Sequence, residues 1–290
     1  MEEHRVDVDE SEVYYTARGP EDARFAYVGI NGLLGGGDSF WPVIEGVPAS
    51  WQVALPDLPG CGASEPMKPP RRHDLDGYVR WLDRFVEAAG LGGKQLVLAS
   101  VATGAPISIR YAVQRRERVA GQVLHMPFLG KPVIPAKWLR PVIGFGLLAA
   151  PTRALMDRLR SSDRLMHRVI IHEPPHAIPE LAERDIAHKQ QGDLKAAGEL
   201  LHSLMLTDSR AELALLHSPV LILDSEHDEL SPTPMMQSVV RGRPERTLYT
   251  YSGGMHSWNE EFISEMNREI AQFTRRIEVE SSKAMERPAQ

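Results

Sequence analysis

Short apolar runs closed by Gly, Pro or Asp alternate with longer segments at helical spacing, and this alternation restricts the fold more than any other feature of the chain. A strand inside a parallel sheet is buried on both faces and reads as a continuous apolar run, and each parallel neighbour needs a crossover, usually a helix. The pattern therefore predicts an α/β chain with a mostly parallel, eight-stranded sheet flanked by helices. Six strand runs fall in the first block, at Arg5 to Asp9, Val13 to Thr16, Phe25 to Ile30, Gln52 to Pro56, Gln95 to Ala99 and Gly121 to His125. Helical segments at about Ser39 to Gly46, Leu75 to Ala89 and Gly104 to Gln114 separate them. A second block begins at Ser218 with the run PVLIL, continues through a helix near Thr233 to Val240 and the run TLYTY, and closes on a helix from Glu260 to about Arg276.

Between the blocks the chain is rich in Leu, Met, Arg and His, is broken by prolines and has no strand signal. The expected organisation is a core of residues 1–126 and 208–278, a helical lid over one end of the sheet at 127–207, and a polar, mobile tail at 279–290. The longest apolar stretch, Pro141 to Pro151 (PVIGFGLLAAP), is about half of the ~20 residues that a membrane span needs, so it is expected to line a pocket or be buried. The 290 residues carry a net charge of −6, with no basic face for a phosphate backbone, so nucleic acid is not an expected partner. The single cysteine, Cys61, cannot close an internal disulfide and reads as a small filler. The opening MEEHRVDVDE has neither a basic nor an apolar leader region, and the chain is read as cytoplasmic. Nothing in the sequence fixes an oligomeric state.

The segment KQLVLASVATGAPISIRYAV runs from a strand pattern through Ser100-Val101-Ala102-Thr103-Gly104 straight into a helix pattern. A strand–turn–helix elbow of the type G-x-S-x-G lifts its central side chain onto a sharp turn, and the positions two before and two after must be small because strand and helix backbones nearly touch there. Ser100 and Gly104 meet that need, and the central position, where a nucleophile would stand, holds Ala102. Small residues at Gly104, Ala105, Ser108 and Ala112 support this register on the helix. An alternative register centred on Ser100 puts Leu98 where a small residue is wanted.

At these residues the chain resembles the α/β-hydrolase superfamily, and three further segments agree. Val53 to Pro66 (VALPDLPGCGASEP) is similar to that family's D-x-P-G-x-G-x-S loop, and Ile30-Asn31-Gly32-Leu33 stands where the family often has His-Gly ahead of an oxyanion donor, with Asn31 in place of the histidine. Ser218 to Pro232 (SPVLILDSEHDELSP) resembles the strand and turn presenting the catalytic acid, which maps onto Asp228, with Asp224 and Glu226 as competitors. Ser252 to Phe262 (SGGMHSWNEEF) resembles the loop carrying the catalytic histidine, which maps onto His256. The resemblance implies a Ser-His-Asp mechanism in which the imidazole takes the nucleophile's proton and the carboxylate fixes its tautomer, with backbone N–H groups of Thr103 and Leu33, beside Asn31 and Gly32, meeting the oxyanion. Ala102 has no proton to lose, so the covalent route is closed in the chain as written.

Three functions follow as expectations. The leading one is a hydrolase of an ester, thioester, lactone or related acyl compound with a hydrophobic portion, without a cofactor and with its nucleophile position filled by Ala102. The others are acid/base chemistry of an isomerase, lyase or cyclase with His256 as base, and non-catalytic binding of a small molecule. An aspartate nucleophile fits less well, because Thr103 and the Asn31-Gly32-Leu33-Leu34 run replace the Trp and His-Gly-x-Pro that such relatives usually carry. The glycine-rich Gly32 to Gly37 lacks the frame of a phosphate cradle. His172-Glu173-Pro174-Pro175-His176 has the letters of a zinc helix, but two prolines inside the turn break it, and no metal is expected.

Overall fold

A computed structural model of the protein describes residues 1–130, 145–166, 178–254, 256 and 260–285. Eight strands form one sheet in the order β1-β2-β4-β3-β5-β6-β7-β8, with β1 at Glu2–Val8, β2 at Ser11–Arg18, β3 at Phe25–Ile30, β4 at Gln52–Pro56, β5 at Gln95–Val101, β6 at Val119–His125, β7 at Val220–Ser225 and β8 at Arg246–Tyr251. The first two strands pair antiparallel, β2 runs antiparallel to β4, and every other neighbour is parallel. The expected fold class, α/β with a mostly parallel eight-stranded sheet flanked by helices, is the one observed.

Both faces of the sheet are covered, and strand alternation sorts side chains between two core layers. Ala26, Val28, Leu96, Leu98, Leu124, Val220 and Ile222 point to one layer, beneath α1 (Leu75–Ala88) and α2 (Ala105–Gln114). Phe25, Tyr27, Val97, Ala99, Val123, Leu221 and Leu223 point to the other. There Phe262, Met266, Ile270, Phe273 and Ile277 form a stripe of helical period along the last helix and meet them. Asp74 starts α1 by accepting the Gly77 N–H at 2.8 Å, which satisfies one of the helix's orphan donors.

Between β6 and β7 the described chain is helical, with α3 (Ala150–Arg160), a single turn at Asp163–Leu165, α4 (Pro179–Gln191), α5 (Leu194–Leu206) and α6 (Ser209–Leu213). Leu200, Leu204 and Met205 tie α5 into the first core layer. Two more helices, α7 (Thr233–Val240) and α8 (Glu260–Met285), follow β7 and β8.

Two expected boundaries differ. The segment from Ser39 to Gly46 lies in a 3-10 helix, Gly37–Gly46, with Pro42 inside it, where the missing N–H and ring bulk oppose α-helix. The last helix reaches Met285 instead of about Arg276, because Ile277 continues the buried stripe by another turn, so residues 279–285 of the expected mobile tail are helical. No helix among the described residues is long and apolar enough to cross a membrane.

Candidate active site

Strand order opens a crevice at one end of the sheet. From β3 the chain moves to one side to form β4 and returns to the other side to form β5, so connections leave the carboxyl ends of β3 and β5 in opposite directions and open a crevice there. Asn31 to Leu33 leave β3 at that crevice, and Ala102 to Gly104 leave β5 beside them. A Cβ added to Gly32 would lie 3.5 Å from the Ala102 Cβ and 3.8 Å from the Thr103 Oγ1, so the sequence-predicted Gly32, Ala102 and Thr103 come together.

The elbow has the backbone that its register demands. Ala102 is buried with φ at +46°, in the left-handed region that L-residues other than Gly, Asn and Asp rarely enter. A 3-10 turn, Ala102–Gly104, leads directly into α2. At Gly104 a Cβ would stand 2.4 Å from the Ile30 carbonyl oxygen and 2.6 Å from that of Asn31, which accounts for a glycine two residues past the centre. Ser100 is fully buried inside the strand, accepting a hydrogen bond at 3.0 Å from the Ser108 Oγ on α2, so it is placed as a packing residue and the Ser100-centred register is not the one adopted.

In the loop after β3 Asn31 is buried, and its Nδ2 donates to the Gly35 carbonyl oxygen while the Gly35 N–H donates back to the Gly32 carbonyl at 3.1 Å. Its side chain therefore staples a tight loop in which Leu34 has φ at +59°. Leu33 is half-buried against the first core layer.

The three candidate acids separate by what each one holds. Asp224 accepts from the Thr233 Oγ1 at 2.8 Å, and burial pushes its carboxyl up to about 6. Glu226 accepts from the Ser252 Oγ and the Gly253 N–H at 3.0 and 2.9 Å, bracing the turn after β8. Asp228 is the one that reaches His256, with its Oδ2 2.6 Å from the Nδ1, while its Oδ1 accepts the Leu230 and Ser231 N–H groups at 2.8 and 3.0 Å. The carboxylate is buried and fixed by backbone, whereas the imidazole is 29 % exposed. Backbone bonds from Glu226 to Tyr251 at 3.0 Å and from His227 to Gly254 at 2.8 Å zip the two loops together.

Among the described residues no group of three or more His, Cys, Asp or Glu side chains could hold a metal ion. The His172 to His176 segment lies outside the described residues. Cys61 is buried, and desolvation pushes its thiol up to about 12, so it is no ready nucleophile.

The family model of the alpha/beta hydrolase family matches residues 28–273, a range that includes every candidate side chain named above. The chain belongs to the alpha/beta hydrolase family. Solved structures agree on the fold of this α/β-hydrolase. A thermophilic esterase from Thermogutta terrifontis is 16 % identical with a TM-score of 0.70, the match covering 96 % of this chain and 99 % of that one. An enol-lactonase from Burkholderia xenovorans is 14 % identical with a TM-score of 0.71, over 93 % and 99 %. A bromoperoxidase from Bacillus anthracis is 16 % identical with a TM-score of 0.69, over 96 % and 99 %. Three differently named enzymes on one scaffold make the fold secure and leave the reaction to the site.

Sequence reasoning did not find Asp38 and His188. Their side chains meet at 2.8 Å across 150 residues of chain, between the 3-10 helix after β3 and α4. A glycine-rich loop ahead of Asp38 is visible in the sequence, but no local signal pairs it with a particular histidine.

Proposed function

We propose that this α/β-hydrolase is built around an acyl-transfer site for an ester, thioester, lactone or related acyl compound with a hydrophobic portion. Asp228 is the acid, His256 the base, Ala102 the nucleophile position, and the N–H groups of Thr103 and Leu33 meet the oxyanion beside Asn31 and Gly32. The observation that carries the reading is the left-handed Ala102 at the turn between β5 and α2, at the same end of the sheet as a buried Asp228 locked to His256 at 2.6 Å. A non-glycine residue held at positive φ costs about 1–3 kcal/mol, and such strain clusters at reactive sites.

With Nδ1 engaged by Asp228, the imidazole presents Nε2 as the nitrogen that accepts a proton. A hydroxyl at position 102 would give its proton to that nitrogen as its oxygen attacks the acyl carbon, and the same proton would pass to the leaving group. The methyl of Ala102 can do neither. Under this reading the chain keeps the Asp228–His256 pair and backbone N–H groups for a carbonyl oxygen. The intact Asp228–His256 pair, with alanine at position 102, also supports a second reading, in which His256 abstracts a proton from bound substrate in an isomerase, lyase or cyclase reaction.

Ala102→Ser separates them. Under the first reading it gains hydrolysis of p-nitrophenyl esters or lactones over the alanine form, and the gain vanishes with His256→Ala. Absence of any gain across acyl chain lengths overturns that reading. Under the second, His256→Ala abolishes the reaction of the unmodified chain while Ala102→Ser changes it little.

A further inference from the structure

The loop bearing the proposed oxyanion donor is held from both sides. From the core, the Asp57 Oδ1 accepts the Gly37 N–H at 2.7 Å while its Oδ2 accepts that of Ala63 at 2.8 Å. From the helical segment between β6 and β7, α4 lies across the loop. The His188 ring packs so close to Gly36 that a Cβ there would be 2.2 Å from the His188 Nε2, and that nitrogen is 2.8 Å from the Asp38 Oδ1. One helical turn earlier, the Arg184 Nη1 lies 3.4 Å from the Asp38 Oδ2, and its guanidinium stacks 4.4 Å from the Trp41 ring centroid. Both partners of the His188–Asp38 contact are largely shielded, with side chains 19 % and 18 % exposed, where a charged hydrogen bond is worth more than at an open surface.

We propose that His188 is a positioning residue: through Asp38 it clamps α4 onto the glycine-rich loop after β3, and its charge sets how tightly that loop is held. The part of the claim that concerns the oxyanion donor rests on the acyl-site reading above; the clamp itself does not. The charged groups facing His188 are Asp38 from the 3-10 helix, Asp57 from the turn after β4, and Asp185 from α4 itself, with Lys189 bound to Asp185. Burial alone would pull the imidazole down, but the hydrogen bond and charge of Asp38, with Asp57 and Asp185, outweigh it and hold His188 above its ordinary value. Burial likewise pushes Asp38 up, and His188 and Arg184 outweigh it and hold that carboxyl below its ordinary value. The contribution of His188 is therefore complete below the ordinary imidazole range and fades as pH rises through its raised value. That of Asp38 is complete above the ordinary carboxylate range and fades as pH falls through its lowered value. The clamp is charged in the interval between.

The test needs no turnover. His188→Gln can still donate to Asp38 but carries no charge, so hydrogen exchange at the Gly35 and Gly37 amides is compared between the natural chain and this variant at about pH 6 and about pH 9, on either side of the imidazole transition. The expected result is roughly tenfold faster exchange in the variant at the lower pH, as one charged hydrogen bond implies, shrinking toward equality at the higher pH. In parallel, NMR titration should place the His188 imidazole above the ordinary histidine value, and Asp38→Asn should lower it. A variant-to-natural ratio that is the same at both pH values, or a His188 titrating at or below the ordinary value, overturns the proposal. Should Asp38→Asn fail to fold, the exchange comparison and the titration of the natural chain still decide it. If Ala102→Ser hydrolyses acyl esters, adding His188→Gln should lower kcat more than it changes KM near neutral pH, with the deficit disappearing at the higher pH. A silent Ala102→Ser beside intact pH-dependent exchange would remove the acyl-site reading and leave the clamp standing.

Discussion

Gly104→Ala is the perturbation whose sign depends most directly on how the elbow is built. The added Cβ would stand 2.4 Å from the Ile30 carbonyl oxygen and 2.6 Å from that of Asn31, well inside van der Waals contact. The Ile30 oxygen cannot retreat easily, since β3 pairs with β5 up to Ile30 opposite Ser100. The start of α2 must shift or the end of β3 must bend, at a cost of about 2–3 kcal/mol typical of overpacking. Were Ser100 the centre of the elbow, position 104 would be an ordinary helical residue and alanine would instead gain up to about 1 kcal/mol in helix propensity. The two registers thus predict opposite signs separated by about 3–4 kcal/mol, far more than the error of a urea melt. Gly93→Ala is the internal control: it meets nothing within 4 Å and has no positive φ, so it should be neutral or stabilise by about 0.4–1 kcal/mol through the unfolded chain. Gly104→Ala at or above the stability of Gly93→Ala would refute the close approach of α2 to β3, and the placement of Ala102 with it.

Asp228→Ala should strip Leu230 and Ser231 of their N–H acceptor as well as freeing His256, destabilising by about 1–3 kcal/mol in thermal or urea unfolding; in the Ala102→Ser background it should also cut any gained esterase rate by roughly a thousandfold or more. Asp224 has its carboxyl raised to about 6 by burial, so the native state holds a proton there that the unfolded chain releases, and this residue's contribution to stability falls as pH rises from about 4 to about 6. Asp224→Asn keeps an acceptor for Thr233 and should flatten that slope; urea midpoints measured across this interval check it, and an unchanged slope would sink the assignment.

The sheet is legible because burial on both faces leaves a mark: all six residues of β3 and all six of β7 are buried, and β3 and the first four residues of β7 stand out as apolar runs. The elbow is legible because steric limits act locally, on residues two positions apart. Helix ends are less so, since the length of α8 depends on whether Ile277 finds a partner layer, which is a tertiary fact. Among Asp224, Glu226 and Asp228, spacing favours the last, but only three-dimensional partners separate a helix-side acceptor, a turn brace and a histidine partner. The Asp38–His188 contact lies further still from what a sequence can state, because α4 reaches the loop only after β4, β5 and β6 have been laid down between them.

Stability alone gives alanine no advantage at position 102. Glycine would occupy φ at +46° without the steric cost of a Cβ, roughly 1–2 kcal/mol for an L-residue in that region, offset only in part by its greater freedom in the unfolded chain. The backbone is instead fixed from outside the residue: α2 packs against the end of β3 through Gly104, and the Ala102 carbonyl accepts the Phe128 N–H at 3.0 Å. These restraints hold whatever side chain stands at 102. A serine there would inherit the same left-handed turn with one oxygen added, so supplying a nucleophile should require a single substitution and lower the unfolding free energy by no more than the about 1–3 kcal/mol of a buried hydroxyl left without a partner. A serine variant that lost more than that would show the turn to be shaped for the methyl, and the acyl-site reading would lose its footing.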